Sequence, residues 1–287
     1  MGLLRHIRRC NTWNPEDYVP FVVAETQVGL VRRDFLAPLK DHPDAFETTA
    51  DLVRVAARWT DADSRTQAVD AACRRMGERG LLGHWREEPF AVVEAPGQQP
   101  LMLLERAAVS RFGVLGTGVH MNGYVTGTNG LHMWVGKRAV NRPVEPGKFD
   151  QIVAGGQPAA LTLADNLVKE CAEEANIPAY MARQAAPVGA LSYCTDVERG
   201  LRRDILYLFD LELPADFTPV NQDGETERFD LLPLAEVESV LRAGDAFKFN
   251  CALVAIDFLI RHGALPQEDP EYLPLIQGLR THDGRLT

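Results

Sequence analysis

The sequence predicts an α+β / α/β protein: a small α+β unit over residues 1–111, a mixed sheet with helices over 112–263, and a short extension over 264–287. Three observations carry this reading. Apolar residues at helical spacing alternate with short β-type runs along the whole chain. After Ser110 the texture changes, and Gly113, Gly116, Gly118, Gly123, Gly127 and Gly130 punctuate a β-rich stretch. Hydrophobic residues make up 46% of the 287, enough for a sizeable core, and no run approaches the ~18 apolar residues of a membrane span.

In chain order, Leu3, Leu4 and Ile7 fall at helical spacing, and β-type runs follow at 21–24 and 28–32, broken by the polar residues 25–27. Residues 63–79 predict a helix with Val69, Ala72, Cys73 and Met76 on one stripe, Ser64 as its cap and Gly80 as its stop. Strands are expected at 90–93 and 101–104 around the Pro96-Gly97 turn. Asn129-Gly130 marks a hairpin between strands at 122–125 and 131–138. A strand at 151–154 leads through Gly155-Gly156 to a helix over 163–175. Strands at 188–194, 204–213 and 228–232 and helices at 234–243 and 249–262 complete the second unit. The tail after Leu265, with Pro266, Pro270 and Pro274, reads as extended and packed over the surface.

Thirty basic against 40 acidic residues give a formal charge of -10. This balance argues against a nucleic-acid partner held by charge neutralisation, and an anionic substrate would need local cations or a metal. Five scattered cysteines without a CxxC pair argue against zinc ribbons and disulfide frameworks. The basic start from Met1 to Cys10 has no signal-peptide core, so a cytoplasmic location and no membrane association are expected. The oligomeric state is left open, a homodimer included.

The chemistry concentrates in Lys169-Glu170-Cys171-Ala172-Glu173-Glu174-Ala175. On a helix, Glu173 and Glu174 lie about 60° and 40° to either side of Glu170. Three carboxylates then project from one face in a last turn whose dipole disfavours negative charge. Two readings fit: a solvated acidic face, ordinary at this net charge, or a site for a hard cation such as Mg²⁺ or Mn²⁺.

The stretch from Gly155 to Ile177 resembles the signature box of the Nudix hydrolases. Gly155 matches its first glycine, Lys169 stands for its arginine, and Glu170, the Glu173-Glu174 pair and Ile177 are in register. Leu161 stands where the box has its first glutamate, and Asn176 where it has a later glycine. Further motifs resemble a branch related to the amino-terminal part of fungal thiamin pyrophosphokinases. These are Gly118-Val119-His120-Met121-Asn122-Gly123-Tyr124, Asp223-Gly224-Glu225, Asn250-Cys251-Ala252-Leu253 and Asp257 to Gly263.

The resemblance implies a Nudix α/β/α sandwich behind an accessory domain. It implies a hydrolase of a small-molecule diphosphate, with thiamin diphosphate or its oxidised analogues as candidate substrates. A metal ion would be held by Glu170, Glu173, Glu174 and the Gly155 carbonyl. Glu174, Glu170, Glu225 and Glu227 become the catalytic candidates, the last two as a further ligand or general base before the strand at 228–232. Lys137 and Arg138, ending a strand near the box, are candidates to meet phosphate, and His120 and Asn122 to line a ring pocket. Alternative readings are ADP-ribose or dinucleotide substrates, or a fold kept only for binding. Cys194 and the four tryptophans read as packing residues.

Overall fold

The computed structural model describes residues 2–280. The first part contains α1 (Leu4–Arg9), β1 (Tyr18–Val23), β2 (Thr26–Arg32), α2 (Leu36–Lys40), β3 (Phe46–Thr48), β4 (Val53–Val55), α3 (Ala62–Glu78), β5 (Pro89–Val92), β6 (Met102–Glu105) and α4 (Val109–Phe112). β2-β1-β4-β3 form one sheet and β5-β6 a second ribbon. The polar break at 25–27 is a tight hairpin: Val23 pairs with Thr26, and Ala24 and Glu25 both take positive φ. That is the backbone a two-residue loop requires, reached here without glycine or asparagine. Asp61, not Ser64, caps α3. The Asp61 carboxylate accepts the Ser64 N–H at 2.8 Å, and the Asp61 N–H donates back to the serine hydroxyl.

The second part contains β7 (Leu115–Gly127), β8 (Gly130–Arg138), β9 (Phe149–Gln151), β10 (Val153–Gly156), α5 (Leu163–Ala175), α6 (Ala179–Ala182), β11 (Ala186–Val197), β12 (Gly200–Glu212), β13 (Thr226–Pro233), α7 (Leu234–Ala243), α8 (Phe249–Arg261) and α9 (Tyr272–Gly278). The sheet runs β11-β12-β7-β8-β13, with β10 on β7 and β9 on β8. The β12–β7 pair is parallel and the other pairs are antiparallel. The single strand expected at 151–154 is thus two short strands joined at Ile152, each serving a different neighbour.

Alternation divides the core into two layers. Val119, Met121 and Val125 of β7 pack with Leu167, Cys171 and Ala175 of α5. Leu206 and Leu208 of β12 face the opposite layer with α7 and α8. Helix α8 is buried on every side from Asn250 to Leu259, and apart from Asn250 and Asp257 that span is apolar.

Two expectations about the ends of the chain change. Helix α1 does not pack with the first unit; Leu3, Ile7 and Cys10 bury in the α8 layer. The tail is not extended: Tyr272–Gly278 is helical, and Leu275 and Leu279, four apart, bury in the same layer. Glu271 ties these ends together by accepting the Leu3 and Leu4 N–H groups at 2.6 and 3.2 Å. Residues 281–287 of the extension lie outside the described residues.

The two units are joined by specific polar contacts. Tyr18 donates to Asp196 at 2.5 Å, Arg32 bridges Asp196 and the Val197 carbonyl, Arg199 donates to the Leu82 carbonyl at 2.7 Å, and Arg203 to the Val28 carbonyl at 3.4 Å. Gly200 has φ +126°, and a Cβ there would sit 2.2 Å from the Ser110 carbonyl oxygen. Gly200→Ala should therefore cost about 1–3 kcal/mol. A thermal melt of the variant alongside the wild type checks this, and an unchanged melting temperature refutes it.

Candidate active site

Helix α5 is positioned from both ends. The Thr162 hydroxyl accepts the Asp165 N–H, and Asn176 takes the left-handed conformation (φ +54°) that ends the helix. Asn176 thus does the work of the glycine in the box. Buried Asn166 donates to the Gly156 carbonyl at 2.8 Å, pinning the helix to the end of β10. At Leu161 the loop is held through its backbone instead of an acidic side chain, by Gln157 Nε2 on the Leu161 carbonyl at 2.6 Å.

The carboxylates fall into two groups. Glu170 is 8% exposed and faces Gly155 so closely that a Cβ there would lie 2.2 Å from the Glu170 carboxyl carbon. A side chain at 155 would displace the Glu170 carboxyl from this position. Half-buried Glu174 accepts the Ala154 N–H at 2.7 Å through Oε2. Oxygens of Glu174, Asp223 and Glu225 all lie within 4.8 Å of one another. Burial, then the Glu170 charge, pushes the Glu174 carboxyl well above the usual range, and burial raises Glu170 as well, against the pull of Lys169. Lys169 reaches Glu170 at 3.0 Å and Glu173 at 2.8 Å, and Arg142 reaches Glu225 at 2.6 Å. Carboxylates this close, in an all-oxygen donor set, fit a hard divalent cation.

Several expectations change. Glu173 is exposed and lies 2.8 Å from the Lys169 ammonium that also reaches Glu170, and Asp223, a residue known from the flanking motif, joins Glu174 and Glu225 in the three-residue cluster. Glu227 lies on β13 rather than on the loop before it. It is the exposed bulge residue between Thr226 and Arg228, and it stays outside the cluster. Arg138 is not available to phosphate, because it is buried against Asp150 at 2.6 Å and the Val144 carbonyl at 3.0 Å. Lys137 lays its ammonium 4.8 Å above the Phe149 ring. Asn122 is fully buried and donates to Asp210 at 2.9 Å, in a network with Arg261 and His262, so it does not line a ring pocket.

His120 does line a cavity, of about 100 Å³, on the other side of β10 from Glu170. Gln151 Nε2 donates to the Cys251 carbonyl, so its Oε1 accepts from His120 Nδ1. Nε2 is then the ring's acceptor. Burial, with Lys248 nearby, lowers this imidazole to about 4, which keeps it neutral at physiological pH. Phe90, Arg106, Arg202, Asp204 and Lys248 share the cavity. None of these was singled out from the sequence. In β12 the run Arg202-Arg203-Asp204 opens an apolar stretch from Ile205 to Phe209, but nothing in it tells which of the three faces the cavity. No local pattern marks Arg106.

Glu225 belongs to the cluster and Glu227 does not. Glu225→Gln should lower kcat at least tenfold, the low end for electrostatic groups, and Glu227→Gln should leave it near wild type. Equal losses in the two variants would refute this division.

A mixed sheet between helical layers, with glutamates of one helix meeting a glycine strand and an acidic loop, gives a concentrated acidic site of the kind a hydrolase can use. The chain belongs to the Nudix hydrolases. It is 39% identical over 293 residues to Nudix hydrolase 20, chloroplastic, of Arabidopsis thaliana, covering 98% of this chain and 78% of that protein. It is also 39% identical over 287 residues to Nudix hydrolase 24, chloroplastic, of the same plant, with the same two coverages. Residues 2–116 match a family model described as a domain of unknown function, DUF4743. Among solved structures, the NUDIX domain of Shewanella oneidensis NrtR, crystallised with ADP ribose, shows a remote likeness. The identity is 14% and the TM-score 0.41, over 52% of this chain and 90% of that one.

Proposed function

We propose that the protein is a divalent-cation-dependent hydrolase of an organic diphosphate, acting on thiamin diphosphate or its oxidised analogues and releasing the monophosphate and phosphate. The observation that supports this most is the convergence of Glu174, Asp223 and Glu225 within 4.8 Å beside the Glu170–Gly155 contact. The substrate class rests on the resemblance of the flanking motifs to the thiamin-related branch.

Glu170, Glu174, Asp223 and Glu225, with the Gly155 carbonyl, would hold Mg²⁺ or Mn²⁺. When bound, that ion supplies positive charge to the diphosphate and makes water more acidic. Ala154 N–H holds Oε2 of Glu174, which leaves Oε1 to take the proton of the attacking water. Gly155 and Gly156 keep β10 bare where Glu170 approaches one face and Phe90 and Arg106 the other.

The test is phosphate release with Mg²⁺ across thiamin diphosphate, its oxo analogues, ADP-ribose and dinucleotides. A thiamin-type diphosphate should show the highest kcat/KM. A higher value for ADP-ribose or a dinucleotide refutes the substrate class. No metal-dependent turnover on any of them refutes the activity and favours a binding role.

A further inference from the structure

We propose that the cavity between the accessory domain and the sheet is the subsite for the substrate's terminal phosphate, and that Arg106 of the accessory domain determines specificity there. This rests on the diphosphate reading above.

The cavity walls bring together three cations, Arg106, Arg202 and Lys248, with one acid, Asp204, on the lining itself. Each cation has donors to spare. Glu88 accepts from Nη1 of Arg106 at 2.6 Å, Asp204 engages Nε of Arg202 at 3.0 Å, and Asp150 accepts from Lys248 at 3.2 Å. A guanidinium has five N–H groups and an ammonium three, so these contacts orient the cations without saturating them. Lys248 and Asn250 also open α8, whose N-terminal end adds positive potential.

Size and approach agree with charge. A cavity of about 100 Å³ has room for a phosphate-sized group. β10 connects it to the carboxylates: the Cα of Gly155 faces Glu170, and a Cβ at Gly156 would lie 2.8 Å from the Phe90 ring and 3.2 Å from the Arg106 guanidinium carbon. The accessory domain therefore closes on the glycine strand itself. Arg106 is held there by Glu88 and by the Phe90 ring 5.9 Å away, and the domain by the contacts of Arg32, Arg199 and Arg203 across the seam. A planar, doubly anchored guanidinium suits bidentate recognition of phosphate.

The experiment titrates the full-length, chelator-treated protein with inorganic phosphate, then measures diphosphate turnover with Mg²⁺. Wild type should bind phosphate saturably. Arg106→Ala should weaken it at least tenfold, and Arg106→Lys should recover part of it. The same order should appear in KM, with a smaller change in kcat and with matching thermal melts for the two Arg106 variants. Equal phosphate binding by wild type and Arg106→Ala, or no binding by wild type, overturns the proposal even if hydrolysis is intact. Arg106-dependent phosphate binding without hydrolysis of any diphosphate leaves the subsite standing and refutes the catalytic reading.

Discussion

Glu174→Gln should lower kcat by about 10²–10³ while raising the melting temperature of the metal-free protein at neutral pH. The two effects share a cause. Burial and the neighbouring Glu170 make an ionised Glu174 unfavourable when no cation is present. A carboxyl raised by folding is a liability above its unfolded pKa of ~4.3, and the penalty grows until pH passes the folded value. Glutamine removes that penalty and keeps an oxygen that can accept the Ala154 N–H, but it removes the charge a cation needs and the base a water needs. The gain in melting temperature should vanish below about pH 4, where wild-type Glu174 is protonated in both states. In wild type the apparent Mg²⁺ affinity should rise with pH as Glu174 loses its proton. Turnover and melts on one preparation decide the matter. A variant that is destabilised yet active would mean that Glu174 is a structural hydrogen-bond acceptor and nothing more.

Asp150→Ala should be among the most destabilising single changes in the protein, costing about 3–5 kcal/mol and on the order of 10 °C in melting temperature. Asp150 is buried in β9, where it accepts from Arg138 at 2.6 Å, Lys248 at 3.2 Å and the Cys251 thiol at 2.6 Å. Burial by itself would raise its carboxyl, but Lys248 and Arg138 hold it below the usual range. Its removal leaves two buried cations without their counter-ion. A depressed carboxyl contributes stability that is complete above its unfolded pKa of ~3.9 and is lost as pH falls toward the folded value. Acid titration of wild type should therefore show a loss of stability below about pH 4 that Asp150→Ala lacks. Unfolding curves in urea across this pH range test both halves. A variant within 1 kcal/mol of wild type, with the same acid limb, would show that Arg138 and Lys248 find other partners.

Much of the local structure is written in periodicity and in capping residues. Helices α5 and α7 begin and end where the sequence places them, because their apolar stripes, Thr162 and Asn176 are local signals. The strands of the central sheet appear at the expected places, although β7 and β12 are longer and the run at 151–154 divides. Glu170, Glu174 and Gly155 were legible as candidates because one helical turn and one glycine strand are short-range features. Positions 25, 46–48 and 53–55 were not, since a glycine-free tight hairpin and three-residue strands acquire their shape from pairing partners far along the chain.

The sequence by itself determined the composition of the site: carboxylates for a cation, a glycine where Glu170 needs room, and an acidic loop at 223–225. Only the tertiary structure decided which of these meet. It brought Asp223 to Glu174 and left Glu173 with Lys169, spent Arg138 on Asp150 and Asn122 on Asp210, and set Arg106 of the first unit against Gly156 of the second. Spacing along a helix or strand specifies the direction of a side chain over a few residues. A charge finds its counter-ion, and a cavity its wall, through contacts between residues a hundred positions apart.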